Sequence, residues 1–156
     1  MSVRPKTEPK RRPLRHPEHE VYLNLLRTAD ALLREVELLL KPAGLSHTQY
    51  NVLRILRGAG QGGLACCEIG QRMLTRDPDI TRLLDRLEVR GLVTRARQRD
   101  DRRVVKTRIT AQGLRLLKGL DEPVTSLHRR QLRHMNAGRL RSLARLLQQA
   151  RQEGGR

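Results

Sequence analysis

The stretch from Asp77 to Gly91, DPDITRLLDRLEVRG, constrains this chain more than any other. Ile80, Leu83, Leu84 and Leu87 fall at i, i+3, i+4 and i+7, so they share one side of a helix and give it a single face to bury. Asp77 can cap that helix, and Pro78 suits its first position, where a missing N–H costs nothing. Gly91 provides the stop, so the pattern predicts a helix over 78–90. The outer side carries Thr81, Arg82 and Arg86, and only Val89 spoils its polar character. Such a helix has to dock on a core and leave its arginines to solvent or to a partner.

The flanks say what it docks on. Leu92 to Ala96 and Val104 to Ile109 read as two short strands, and the charged segment 97–103 between them is a hairpin tip. Upstream, Cys66 or Cys67 to Leu74 reads as a short helix with Ile69 and Met73 facing inward, followed by a tight turn. Ser46 and Gln49 form a capping box, with Leu45 and Tyr50 at the staple positions, for a helix running to about Arg57. Gly58, Gly60, Gly62 and Gly63 make the loop after it; the GxGxxG match there follows a helix rather than a strand and reads as a loop. Glu18 to Leu40 is apolar at helical spacing and ends at Pro42 and Gly44. Thr110 can cap a long helix with Leu114, Leu117, Leu120, Val124 and Leu127, which Pro123 should kink. Asn136 can cap a last helix carrying Leu140, Leu143, Leu146 and Leu147. The fold class is therefore mainly α with a small β-hairpin. A short helix, a turn, a second helix and a basic hairpin make a winged helix-turn-helix.

Charge narrows the partner. The 156 residues carry a formal net charge of +17, a self-repulsion that a polyanion would relieve. Tyr22 and Tyr50 are the only aromatic residues of the Phe, Trp and Tyr class. Single strands are gripped by stacking on aromatic rings, so duplex recognition by arginine is favoured. Residues 1–17 form a basic tail punctuated by Pro5, Pro9, Pro13 and Pro17, either plain solvated chain or an arm for phosphates. No apolar run approaches the roughly 20 residues that span a bilayer, so no membrane is expected. The start lacks a secretory apolar region, and the only cysteines, Cys66 and Cys67, are neighbours, which favours a reducing cytoplasm. His16, His19, His47, His128 and His134 are scattered, with no metal spacing, no catalytic grouping and no cofactor motif, so no enzyme is expected.

The candidate contacts follow. Arg82 lies opposite the buried stripe, where it can give a bidentate bond to guanine in a major groove, although an exposed arginine is also what plain solvation looks like. Arg76, Pro78, Thr81 and Arg86 border the same surface. Asp79 has two readings, an acceptor for a cytosine amino group or a favourable charge at a helix start. Arg97, Arg99, Arg102 and Arg103, with Arg95 in the strand, crowd the hairpin as a narrow minor groove would require. Asp101 or Asp100 is expected to pair with a neighbouring arginine and shape the tip. Cys66 and Cys67 open a helix, where the dipole favours thiolate; oxidation sensing and ordinary packing are both open.

The run LTRDPDITRLLDRLEVRGLVTR, then DDRR, then RITAQG, resembles the MarR family. Thr81 to Glu88 is similar to its recognition helix, Gly91 to Val93 to its wing entry, Asp101 to Arg103 to its wing tip, and Ile109 to Gly113 to the start of its next helix. Leu45 to Leu56 and Leu120 to Leu132 add to the likeness, which covers residues 18–150. The resemblance implies a homodimer on double-stranded DNA, a repressor of a pseudo-palindromic operator, with helix 78–90 in the major groove and wing 97–103 in the minor groove. It divides the chain into a tail (1–17), a dimerisation helix (18–44), a DNA-binding lobe (45–109), C-terminal dimerisation helices (110–151) and a frayed end (152–156). It further implies release by a small aromatic or acidic effector, with a pocket at His47 and Tyr50, or by oxidation at Cys66 or Cys67. Two features depart from the family pattern: Arg139 stands where a glutamate often completes the last helix's capping box, and 97–103 is unusually rich in arginine. The competing expectation is a non-specific nucleic-acid packaging protein, motivated by the charge and the tail.

Overall fold

The computed structural model describes residues 16–75, 79–98 and 103–152. The chain divides into two compact units, 1–34 and 35–156. Within the first, residues 17–34 belong to helix α1 (Pro17–Leu40), which exposes Val21, Tyr22, Leu25 and Leu26 and stacks His19 on Tyr22.

The second unit holds the core. The last turns of α1 bury Val36 and Leu40, and a 3-10 turn, Lys41–Ala43, leads to α2 (His47–Ala59). The capping box is formed in full: Gln49 N donates to Ser46 Oγ at 3.1 Å, and Ser46 N donates to Gln49 Oε1 at 3.0 Å. Then come β1 (Leu64–Ala65), α3 (Cys66–Arg72), α4 (Ile80–Val89), β2 (Val93–Arg97), β3 (Val105–Ile109), α5 (Ala111–Leu132) and α6 (Ala137–Gln152). Leu53, Leu56, Ile69, Leu84, Leu87, Leu92 and Leu117 are sealed in one core with Leu40. Burying a leucine contributes about 1.5–3 kcal/mol, so this cluster sets the relation of α2 to α5.

The fold class read from the sequence is the one observed, with two adjustments. The sheet has three antiparallel strands in the order β1-β3-β2, because Leu64 and Ala65 pair with Thr107 and Lys106. Two residues have no periodicity to read. The helix expected over 78–90 spans Ile80–Val89: Asp79 is non-helical at φ −130° and ψ 54° and accepts from Arg82 N at 3.2 Å, so Asp79 and not Asp77 is the cap. Arg76, Asp77 and Pro78 lie outside the described residues, as do Arg99 to Arg102 and most of the tail. The long helix expected after Thr110 is present as α5, which runs through Pro123. Pro123 and Gly119 are both exposed, so water can satisfy the carbonyl that loses its bond.

Candidate nucleic-acid interface

Helix α4 presents two unlike faces. Leu83, Leu84 and Leu87 are buried, as their spacing required, and Ile80 packs beside them. Thr81, Arg82 and Arg86 are exposed on the far side. The Arg82 guanidinium pairs with the cap carboxylate, Nε to Asp79 Oδ2 at 3.1 Å, yet its side chain stays 78% exposed. A pair so exposed is worth at most about 1 kcal/mol, so Arg82 can exchange Asp79 for a base edge or a phosphate at little cost. Asp79 thus has a structural part, as helix cap and partner of Arg82. A cavity of about 180 Å³ opens between this edge (Asp79, Arg82, Arg86) and the start of α2 (Ser46, Thr48, Gln49).

The wing is locked to that helix by a contact that the sequence reading assigned otherwise. The sequence groups Arg95 with the arginines of the hairpin, but its side chain points inward. Its backbone N and Nε donate to Glu88 at 3.1 and 2.8 Å, and its Nη2 reaches both Glu88 at 2.5 Å and Asp85 at 2.6 Å. The Arg95 hydrogen bonds hold the Glu88 carboxyl below its ordinary range, and burial only partly opposes them. A signal for this was present: strand alternation puts Arg95 on the same face as buried Val93, towards α4. The consequence is electrostatic. Both acids of the second half of α4 are neutralised by one arginine, which leaves its outer face to Arg82 and Arg86. Further out, Arg97 is exposed at the end of β2 and Arg103 at the turn before β3. The register Arg97↔Val105 places these two at the tip.

The turn before α4 is tied to α2, since Leu74 N donates to Asn51 Oδ1 at 3.0 Å. Gly91 takes a φ of +67°, a conformation that suits glycine, and turns the chain from α4 into the wing. Thr110 caps α5 through Gly113 N at 3.1 Å and donates to Gly91 O at 2.7 Å, which closes the wing's base. On the far side of the lobe Arg57 makes a bidentate pair with Asp121 at 2.9 and 3.0 Å, joining α2 to α5. That pair holds the Asp121 carboxyl low. No helical periodicity marks a pairing across 64 residues.

The remaining expected residues are dispersed. Tyr50 is buried in the core with Arg54 over its ring at 5.9 Å. His47 is half-buried, and burial pushes its imidazole below the ordinary value, with Glu37 opposing. Cys66 and Cys67 are both exposed, so neither is the packed thiol that the structural alternative required. Cys66 lines a second cavity with Thr81, Arg95 and Thr107, between α4 and the sheet. Among the described residues no group of His, Cys, Asp and Glu could hold a metal ion, and no helix is long and apolar enough to cross a membrane.

Comparison with known proteins agrees with this geometry. The model of the MarR family matches residues 45–105. The crystal structure of a MarR transcription factor from Planctomyces limnophilus is 44% identical, covers 89% of this chain and 98% of its own, and superposes with a TM-score of 0.67. The HTH-type transcriptional regulator FarR of Neisseria gonorrhoeae is 28% identical over 104 residues, 67% of this chain and 70% of that protein. The chain spans about half the length of other curated relatives that it matches, such as PapX of Escherichia coli, at 47%. A mutant MarR from E. coli complexed with operator DNA shares the fold, with a TM-score of 0.72 at 24% identity over 86% of this chain and 93% of that one.

Proposed function

The chain belongs to the MarR family of winged-helix transcription regulators, and on that premise we propose that it acts as a homodimeric repressor on a pseudo-palindromic operator. In this reading each α4 enters a major groove. Arg82 and Arg86 meet base edges and phosphates there, with Thr81 beside them, and Arg76, Pro78 and Asp79 lie at the approach. The wing, with Arg97, Arg99, Arg102 and Arg103, follows the flanking minor groove, and Asp101 shapes its tip. The observation that carries the reading is the division of α4 into a sealed leucine face and an exposed arginine face whose neighbouring acids are already paired with Arg95.

The dimer is supported by surfaces left open. Helix α6 buries none of its described residues although its leucines share a face. It also carries Arg139, Arg141, Arg145 and Arg151 without an acid, whereas in α1 the acids Glu18, Glu20, Asp30, Glu35 and Glu37 outnumber Arg27 and Arg34. Apolar faces of opposite charge suit helices that pack between two copies. A small aromatic or acidic effector at His47, with Tyr50 behind it, would release the DNA. A second mode of release has its own support: an oxidised Cys66 would stand in the cavity between α4 and the wing, beside Arg95.

The test is a footprint of the purified protein on the DNA upstream of its own gene, at fixed salt with excess competitor DNA. The expected result is one protected, near-palindromic site of about 20 base pairs, the span of two half-sites a helical turn apart. Protection that spreads along the duplex, or that competitor abolishes there and in a selection from random duplexes, would favour non-specific packaging.

A further inference from the structure

At the C-terminal end of α4, the side chain of Arg90 leaves the DNA-facing surface and turns back beneath the lobe. Its Nη1 donates to the Gly44 carbonyl at 2.5 Å and its Nη2 to the Ala43 carbonyl at 2.8 Å. Those carbonyls belong to the joint that follows α1. There the 3-10 turn closes with Gly44 N on Lys41 O at 2.9 Å, and Gly44 takes a φ of +65°. The planar guanidinium fork meets two successive carbonyls at once through two separate nitrogens, a fixed geometry that the compact, freely rotating ammonium of a lysine does not reproduce. The fit is close, since a Cβ on Gly44 would lie 3.3 Å from Arg90 Nη2. The backbone of Arg90 is held from the other side: its N–H donates to Arg86 O at 3.3 Å, and its carbonyl accepts from Gln112 Nε2 at 3.4 Å.

Apart from its bonds to Arg95 in the wing, α4 is attached to the helical core in two ways that differ in kind. The leucine stripe holds the helix on the core, but apolar contact has no direction and permits tilting. Two charged hydrogen bonds at one end do have direction, and they fix that end against the α1–α2 joint. In a dimer this angle matters, because an added base pair turns the far half-site by roughly 35°. We propose that Arg90 is a positioning residue: by clamping the end of the recognition helix to the Ala43–Gly44 joint, it sets the half-site spacing that the dimer accepts. The proposal rests on the homodimer reading above and adds to it a residue that touches no DNA.

The test uses the full chain and duplexes built from its own half-site, recovered by selection from random DNA with the wild-type protein. Spacing is varied one base pair at a time, and Kd is measured at fixed salt for wild type, Arg90→Gln and Arg90→Lys, with a lone half-site duplex as control. Wild type is expected to prefer its best spacing over the next by about tenfold. Both variants should flatten that preference to within about threefold and leave the half-site affinity unchanged, since lysine keeps the charge without the fork. Gly44→Ala disturbs the clamp from its other side and should flatten the profile in the same way, which covers an Arg90 variant that does not fold. An unchanged spacing profile overturns the proposal. So does an equal loss on every duplex, which would make Arg90 a phosphate contact, or a full rescue by lysine, which would make the charge and not the planar fork the positioning element. A wild type indifferent to spacing would overturn the homodimer reading itself, and the proposal with it.

Discussion

The DNA-binding lobe and α6 use the same device, leucines at helical spacing, with opposite results. In the lobe Leu53, Leu56 and Leu87 have no exposure at all. In α6 Leu143 is 37% and Leu146 57% exposed. The charges diverge in the same way: Asp85 and Glu88 in the lobe are bonded to Arg95, while the arginines of α6 have no acid on their own helix. The core of the lobe is closed within one chain, whereas the leucines of α6 stay open, as the proposed dimer requires.

That contrast can be broken at either end. Leu84→Ala should cost about 2–5 kcal/mol of stability, seen as a lower denaturation midpoint that does not depend on protein concentration. Leu143→Lys should leave the lobe's own stability alone and weaken the dimer by about 1.5–3 kcal/mol, read by sedimentation; a variant that sediments as wild type does would leave α6 without its assigned partner. Within the lobe, Arg82→Ala should remove about 1–3 kcal/mol of discrimination at one position of the half-site. Arg97→Ala, by contrast, should weaken all duplexes alike and lower the salt slope by about one.

The smallest effect is the pH dependence. Burial holds His47 below its ordinary 6.5, so the unfolded chain takes up that proton first and stability declines as pH falls through 6.5. Glu88 and Asp121 are held below 4.5 and 3.8 by Arg95 and Arg57, so a second decline begins near pH 4.5 and ends below their folded values. Both groups are more than a third exposed, so solvent screening keeps the second step small. Denaturation followed from pH 7 to 3 checks both steps; Glu88→Gln should shrink the second and leave the first.

Much of this was legible in the chain because it is local. A helix announces its inner face every three or four residues, so Leu83, Leu84 and Leu87 were readable as core, and Thr81, Arg82 and Arg86 as surface. Caps act over three residues, and Ser46 with Gln49, Thr110 with Gly113 and Asn136 with Arg139 N all formed as their spacing predicted. Asp79 shows the edge of that reach: two acids two residues apart could each cap the helix, and the choice of Asp79 moved its start to Ile80.

The sequence by itself determined the helices, the hairpin strands and the cationic outer face of α4, because each rests on spacing within a short stretch, and its motif runs carried the resemblance to the family. Only the tertiary structure decided what distant groups do for one another. The pairing of Leu64 with Thr107, the capture of Arg95 by Glu88 and Asp85, the Arg57–Asp121 bond and the Arg90 clamp on Ala43 and Gly44 all depend on which side chains face each other across a gap. An arginine has the same composition whether it meets DNA, a carboxylate or a backbone carbonyl. Its surroundings in the folded chain assign the role.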